Sequence, residues 1–451
     1  MIAGPLLLVI LLAVIVFIIV ATAFLKIHPF LVLMAAAYLT GLLVGMPLDE
    51  LTAAVNTGIG NLMRHIGLVI VTGTIIGVIL EKSGAALRMA EIVVRLVGAK
   101  RPQLAMSLIG AIVSVPVFCD SGYVILTSLN RATAKKAGVP LASMSIALAT
   151  GLYATHTLVP PTPGPIAAAG YLGASDYLGM VILVGLLVSV PTTLVGYLWA
   201  TRVAIHIKIA DENDNNAALT TELAEKELPS TWKSLAPIVI PVLLIGMGSI
   251  VTFSGYKGLG SAFGLFLGAP TNALFVGLLF AFLLLPKFNE ETLSGWIGAG
   301  IYSAAPILLI TCAGGAFGNV LSATPIADLI KGIAEGGLLS GSFVLVIPFV
   351  VAVCLKTAQG SSTASLVVTS ALVAPFLQVM GVTSPLQLTL MVMAIGAGAM
   401  TVSHANDSYF WVVTQFSGMR VSDAYKAHTM ATLLQGITAF VCTFLLYVIL
   451  V

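Results

Sequence analysis

Two stretches, FCDSGYVIL (118–126) and QGSSTASLV (359–367), decide how this chain folds, because each places a short polar interruption inside an apolar region. The same relation joins TGTIIGVIL (72–80) to AGGAFGNVL (313–321). The offset is 241 residues in both cases, from 359 − 118 and from 313 − 72. One offset for two separate matches predicts that the second half of the chain repeats the architecture of the first.

The composition excludes an ordinary soluble domain. Hydrophobic residues make up 59% of the 451 residues and charged residues only 8%, whereas soluble domains carry about 25% charged residues. A membrane span needs about 20 apolar helical residues. We predict an all-α polytopic membrane protein with ten spans, near residues 4–25, 29–46, 65–80, 140–157, 177–200, 235–253, 270–286, 304–321, 385–402 and 428–451.

The distribution of basic residues predicts an orientation. They cluster in three segments of the first half: Lys82, Arg88, Arg95, Lys100 and Arg101; then Arg131, Lys135 and Lys136; then Arg202, Lys208, Lys226 and Lys233. Such segments face the cytoplasm by the positive-inside rule. The first two share one side only if residues 104–130 enter the membrane and return, so we predict a re-entrant hairpin with CDSG (119–122) at its tip.

Five spans and one hairpin per half give an odd number of crossings, so the second copy is predicted to be inverted and both termini to face outward. The first repeat covers residues 1–200 with its hairpin near 104–130. A cytoplasmic linker covers 201–233, and the second repeat covers 234–451 with its hairpin near 343–371.

Each half also contains a predicted broken helix. Four prolines between 160 and 165 interrupt the helix that begins at residue 140, and SHANDS (403–408) stands at the equivalent place in the second half. Non-helical backbone at membrane depth is tolerated only inside protein or beside a wet cavity. Inverted halves with broken helices are typical of secondary transporters, which bind their solute where the breaks meet.

Helix ends at such breaks present free backbone N–H groups, which favour an anion. We therefore predict a small carboxylate substrate. Hydroxyl groups add donors, Gly360 allows close backbone approach, and two histidines adjoin the breaks. In membrane helices the same residue types also serve packing alone. The candidate substrate-binding residues are Asp120, Ser121, His156, Thr162, Lys356, Gly360, Ser361, Ser362, Thr363, His404 and Asn406.

Lys356 follows the apolar run FVLVIPFVVAVCL and has no acid nearby in sequence. Three roles are open to this side chain: it attracts the substrate carboxylate, it pairs with Asp120 or Asp407, or it extends its ammonium group to water. Burial favours the protonated form of an acid, so Asp120 and Asp407 are the candidates for proton coupling. Sodium bound by unwound carbonyls and Asn406 is the alternative coupling ion. No residue spacing indicates a metal site, and no cofactor is predicted.

Two other function classes fit the sequence less well. An intramembrane hydrolase needs a nucleophile with a base beside it and has no use for inverted halves, and the chain contains no GxSxG motif, HExxH motif or nucleotide-binding loop. A passive anion channel is the second alternative. A channel cannot accumulate its solute, so concentrative uptake distinguishes it from a transporter.

Five motifs resemble the gluconate permease (GntP) family of bacterial sugar-acid symporters, within the ion transporter superfamily. They are PVFCDSGYVIL (116–126), THTLVPPTPGP (155–165), GGAFGNVL (314–321), KTAQGSSTAS (356–365) and SHANDSYFW (403–411). The resemblance implies proton-coupled uptake of gluconate or a related sugar acid or hydroxy acid across the bacterial inner membrane. It also implies a homodimer that moves its substrate by an elevator-like shift, and no enzyme activity.

The chain departs from the family pattern at two positions that bear on the substrate. Thr162 stands where gluconate members typically carry a second histidine, and Ser121 stands where an apolar residue is common. A shorter acid, another aldonate or a D-serine-type amino acid is therefore the alternative substrate.

Overall fold

The computed structural model describes residues 1–2, 5–23, 25–97, 101–207, 209, 228–254, 258, 260–325 and 341–451. Every regular element within these ranges is a helix. Five of the described helices are long and apolar enough to cross a membrane, and a sixth crossing results if Ser261–Gly268 and Pro270–Phe282, bent by 70°, count as one. The predicted all-helical membrane fold is confirmed.

The helices of the first half are α1 (Pro5–Ala23), α2 (Pro29–Val44), α3 (Leu48–Lys82), α4 (Ala85–Val97), α5 (Pro102–Val113), α6 (Cys119–Ala137), α7 (Leu141–Leu158), α8 (Pro163–Tyr171) and α9 (Leu178–Arg202). Those of the second half are α10 (Thr231–Ser254), α11 (Ser261–Gly268), α12 (Pro270–Phe282), α13 (Glu291–Ser322), α14 (Val346–Gln359), α15 (Ser362–Val373), α16 (Pro385–Met400), α17 (Ser408–Ser417) and α18 (Val421–Leu450).

Each predicted span coincides with a helix, but two of them are parts of much longer helices. The span predicted at 65–80 belongs to α3, which has 35 residues, and that at 304–321 belongs to α13, which has 32. The N-terminal part of α3 is amphipathic and opens with Asp49 and Glu50, so its apolar residues form one face rather than a continuous run. A π-helical turn at Met63–Gly67 joins it to the apolar part.

The predicted linker at 201–233 is helical at both ends, since α9 continues to Arg202 and α10 begins at Thr231. Its centre, residues 210–227, lies outside the described residues. In both halves a hairpin of two helices is followed by a broken helix. The hairpin and the broken helix thus follow in the same order in the two halves, and the inversion of the halves stays a prediction.

The predicted tip of the first hairpin is wrong in detail. CDSG (119–122) forms the first turn of α6, and the non-helical residues are 114–118, here called the first tip. Pro116 lacks the N–H that a continuing helix needs, and Asp120 is favoured in a first turn by the helix dipole. The hairpin helices also extend beyond the predicted 104–130, from 102 to 137.

The second hairpin breaks only at residues 360–361, the second tip, within the polar interruption QGSSTASLV (359–367). Gly360 ends α14 with φ +79° and Ser361 caps α15, accepting a hydrogen bond from the N–H of Ala364 at 3.2 Å. A positive φ favours glycine because other residues meet steric strain there. The hairpin helices cover 346–373, against the predicted 343–371.

The broken helices part at residues 159–162, the first break, and at 401–407, the second break. Both overlap the predicted segments, but the first break begins one residue before the prolines at 160–165 and the second begins two residues before SHANDS (403–408). Each hairpin packs on the broken helix of the other half: α6 lies against α17, and α15 lies against α8. The long helices α3 and α13 also pack together, and a Cβ on Gly58 would overlap the carbonyl of Gly315. This packing brings the two tips and the two breaks into one region.

Candidate functional site

An ion pair lies at the centre of this region. The Nζ atom of Lys356, on the last turn of α14, is 2.6 Å from Oδ2 of Asp407 in the second break. The Lys356 side chain is 0% exposed and the Asp407 side chain 5%. Lys356 also donates to the carbonyl of Gly360 at 2.8 Å and lies 5.7 Å from the centroid of the Tyr153 ring. Of the partners that the sequence left open for Lys356, this conformation selects Asp407.

Asp407, the last residue of the second break, accepts three hydrogen bonds. Its Oδ1 accepts from the N–H of Tyr409 at 3.1 Å, which caps the N-terminus of α17. Its Oδ2 accepts from Lys356 and from the hydroxyl of Ser403, the latter at 2.5 Å. Charge-assisted bonds of this kind are about twice as strong as neutral ones. Both oxygens of this carboxyl group are therefore hydrogen-bonded.

The second tip and the second break are bonded directly to each other. Asn406 donates from Nδ2 to the carbonyls of Thr357 and Ala358 at 2.8 and 3.2 Å, and Nε2 of His404 lies 2.9 Å from the Thr357 carbonyl. A Cβ on Gly360 would overlap the backbone carbonyl of Asn406. The glycine is thus required for close approach as well as for its φ.

The first hairpin reaches the same place through Asp120. Its Oδ1 accepts from the hydroxyl of Ser408, the first residue of α17, at 3.2 Å, and its Oδ2 lies 3.6 Å from Sγ of Cys119. The neighbouring Ser121 is half-buried in the first turn of α6. Asp120, which is half-buried, and Asp407, which is buried, therefore both hydrogen-bond to residues at the start of α17.

The residues of the first break take part less directly. The hydroxyl of Thr162 donates to the carbonyl of Val159 at 2.6 Å, so it satisfies its own turn. His156 is buried and its ring packs on Phe118 with centroids 5.9 Å apart. Ser362 is buried and shares a 2.7 Å hydrogen bond with the hydroxyl of Tyr153. Thr363 is half-buried beside Gly164, whose Cβ would lie 3.7 Å from the Thr363 Cα.

An exposed polar surface covers the ion pair. Ser361, Asn406 and Ser408 are exposed at the start of α15, in the second break and at the start of α17. The N-termini of α6, α15 and α17 carry Asp120, Ser361 and Asp407 as first-turn or capping residues. Helix N-termini and neutral donors suit a carboxylate and its hydroxyl groups. No group of three or more metal-ligating residues occurs among the described side chains.

Two functional candidates were missed from sequence. Ser403 lies within the quoted SHANDS segment, where only its neighbours were selected. His428 lies 21 residues after Asp407 at the start of the last predicted span, and its ring Nε2 is 3.1 Å from the Ser403 hydroxyl. An imidazole at the edge of an apolar run was the available signal. Nothing in the spacing pointed to its partner.

Comparisons with known proteins identify the family. The model of the "GntP family permease" matches residues 6–449. A gluconate permease of Pseudomonas aeruginosa is 31% identical over 431 residues, which are 94% of each chain. The D-serine transporter DsdX of Escherichia coli K12 is 32% identical over 431 residues, with 93% of this chain and 94% of that protein covered.

Among solved structures, the YdaH transporter of Alcanivorax borkumensis has a similar fold. The TM-score is 0.68 at 17% sequence identity, and the match covers 93% of this chain and 98% of that chain. This likeness concerns the fold alone, whereas the family model and the curated relatives concern the sequence over nearly its whole length. The predicted family is confirmed: the chain belongs to the GntP permease family, whose members are membrane transport proteins and not enzymes.

Proposed function

We propose that this protein takes up a sugar acid or related hydroxy acid in symport with a proton. The observation that carries the proposal is the buried pair of Lys356 and Asp407 beneath an exposed polar surface. Lys356 is the cation that a substrate carboxylate would seek, and in this conformation Asp407 occupies it. The substrate anion and Asp407 therefore compete for one ammonium group.

The balance of charge makes this competition a coupling device. The pair is neutral as it stands, and entry of a carboxylate would leave one uncompensated negative charge in a buried site. An unpaired buried ion costs several kcal/mol. A proton on Asp407 removes that charge and frees Lys356, so the anion and the proton bind together or not at all. The expected stoichiometry is one proton for each carboxylate.

The substrate class follows from the groups around the pair. The hydroxyls of Ser361 and Ser408 and the amide of Asn406 are exposed donors and acceptors, which suit the hydroxyl groups of an aldonate. A relative named gluconate permease supports a sugar acid. A relative named D-serine transporter supports a hydroxy amino acid as the second candidate, because Lys356 would bind its carboxylate in the same way. Thr162 bonds its own turn and adds no group that would select between them.

The finer features of topology also belong to the proposal. We infer inverted halves, both termini outside the bacterial inner membrane, and a homodimer that moves its substrate by an elevator-like shift. The basic residues that flank the first hairpin support the orientation. The common order of elements in the two halves supports the repeat. The dimer and the elevator-like shift rest on the family resemblance.

Uptake into proteoliposomes tests the function. The purified protein is reconstituted, and labelled gluconate, glycerate and D-serine are offered in separate runs. Each is tested in sodium-free buffer with and without an inward proton gradient, and then with an inward sodium gradient alone. We expect gradient-driven accumulation of a sugar acid, together with acidification of the lumen that depends on substrate. Accumulation driven by sodium alone would refute proton coupling, and equilibration without accumulation would indicate a channel. Lys356→Met is the matched variant, because it removes the cation and keeps the length of the side chain.

A further inference from the structure

His428 is a fully buried imidazole that the proposed function has not used. It lies in a π-helical turn, Tyr425–Thr429, at the base of α18, and its side chain is 0% exposed. Its Nε2 is 3.1 Å from the Ser403 hydroxyl, whereas its Nδ1 has no hydrogen-bond partner within the part of the chain that the structure describes. Buried polar atoms are usually satisfied, so an unpaired one calls for an explanation.

The hydrogen-bond directions are fixed by the carboxylate. An ionised Asp407 can only accept, so the Ser403 hydroxyl donates its proton to Oδ2 across 2.5 Å. The Ser403 oxygen must then accept from His428, which places the imidazole proton on Nε2. In the neutral ring Nδ1 is therefore a bare acceptor. A continuous line of proton donors runs from the imidazole through one hydroxyl to the acid.

We propose that His428 is a positioning residue that delivers the coupling proton to Asp407 through Ser403, a role that rests on the proposed function. A proton binds Nδ1 and forms the imidazolium. The Nε2 proton moves to the Ser403 oxygen while the hydroxyl proton of Ser403 moves to Oδ2. The products are a neutral imidazole protonated at Nδ1, an intact hydroxyl and a neutral Asp407, with one proton gained.

The surroundings of His428 suit a relay. Full burial disfavours the charged imidazolium and Lys356 repels it, so the charged ring is a transient state that passes its proton to the nearby acid. The Tyr409 ring lies edge-on at 5.4 Å, and Trp199 donates to the carbonyl of Ala427 at 3.0 Å. π-Helical turns are frequent at functional sites. Other titratable or charged groups on the elements packed around this turn are Tyr153, His156, Tyr197, Arg202, Asp423, Tyr425, Lys426, Cys442 and Tyr447.

A purely structural histidine is the competing explanation, and glutamine separates the two. The amide nitrogen of glutamine can replace Nε2 as the donor to Ser403, but it cannot accept a proton at one atom and release another. His428→Gln therefore keeps the bond and removes the relay. Ser403→Ala interrupts the same line at its middle, and His206→Gln is the matched control, because His206 is exposed at the end of α9.

The experiment measures three quantities in proteoliposomes: accumulation driven by a proton gradient, exchange of labelled for unlabelled gluconate without a gradient, and the pH profile of substrate-dependent lumen acidification. For His428→Gln and Ser403→Ala we expect gradient-driven uptake to fall about a hundredfold, the lower end of the range for a lost proton-transfer group. Exchange should continue, because it needs no net proton movement. The acidification profile should flatten in both variants.

Each outcome decides one point. Wild-type accumulation by His428→Gln and by Ser403→Ala would overturn the relay and leave the proposed function intact. Net uptake of gluconate by the wild-type protein down its own concentration gradient, without acidification of the lumen, would overturn the proposed function and the relay with it. If His428→Gln does not fold, Ser403→Ala alone tests the relay. Its uptake and its pH profile are then compared with those of His206→Gln.

Discussion

Replacing Asp407 by asparagine tests the buried ion pair most directly. Asparagine caps helices as well as aspartate does, so the start of α17 should be preserved. Lys356 would keep its full burial and lose its counterion, which sits at 2.6 Å. Removing one partner of a buried pair costs about 3–5 kcal/mol. We expect the free energy of unfolding to fall by that amount.

Asp423→Asn is the matched control. Asp423 pairs with Arg420 at 3.0 Å, but the Arg420 side chain is 77% exposed. Exposed pairs contribute about 0–1 kcal/mol, so this variant should unfold at nearly the wild-type temperature. Thermal unfolding of both purified variants in the same detergent gives the comparison.

Asp407→Asn should also change how substrate binding depends on pH. In the wild type the substrate anion binds together with a proton, so binding should tighten as the pH falls. Asp407→Asn resembles the protonated acid at every pH. The affinity of this variant for gluconate should therefore no longer depend on a proton at residue 407. Bound gluconate should raise the unfolding temperature of the variant at neutral pH. Saturating ligand at 100 times its Kd adds about 2.7 kcal/mol.

Three results would refute this reasoning: a loss of stability no larger than that of Asp423→Asn, wild-type accumulation under a proton gradient, or binding that still tightens with acid. The double variant Lys356→Met with Asp407→Leu separates charge from packing. Replacing both buried charges by apolar groups is often neutral or stabilising. The double variant should therefore recover stability relative to Asp407→Asn while losing transport.

Three further predictions concern the tips and the topology. Gly360→Ala should lose more stability than Gly381→Ala. Both positions have positive φ, which costs about 1–2 kcal/mol for alanine, but only the new Cβ at 360 would overlap a carbonyl of the second break. Equal unfolding temperatures of the two variants would contradict this. Asp120→Asn should lose proton-driven accumulation and stay folded, and unchanged accumulation at several pH values would remove Asp120 from the coupling. Cysteines at Arg101 and Lys136, both exposed, should react with an impermeant reagent from one side of the membrane, and labelling from opposite sides would exclude a re-entrant hairpin.

The breaks were predictable because the residues that cause them are local. Pro160 and Pro161 are adjacent and Gly360 takes a positive φ, so they interrupt their helices. Single prolines such as Pro191 and Pro306 lie inside continuous helices. The N-terminal part of α3 was not predicted, because its polar face breaks the continuous apolar run that marks a span. Periodicity would have found it where hydropathy did not.

The partners within the site were beyond sequence reasoning. Lys356 and Asp407 are 51 residues apart, and their pairing depends on how α14 packs against α16 and on where the second break returns. Asp120 was an equally good candidate until the fold placed it against Ser408. His428 and Ser403 are 25 residues apart and belong to different elements. Contacts of this kind are tertiary, and one sequence carries no signal for them.

The crossing of hairpins and broken helices has a consequence for the origin of such a protein. The α6 hairpin packs on a helix of the second half, and the α15 hairpin packs on a helix of the first. A primitive chain of half this length would carry one hairpin and one broken helix, and it could form these contacts only by joining a second copy. After gene duplication and fusion, the sequences of the two halves would have been able to diverge. Lys356 and Asp407 could thereafter specialise in one half while Asp120 was retained in the other.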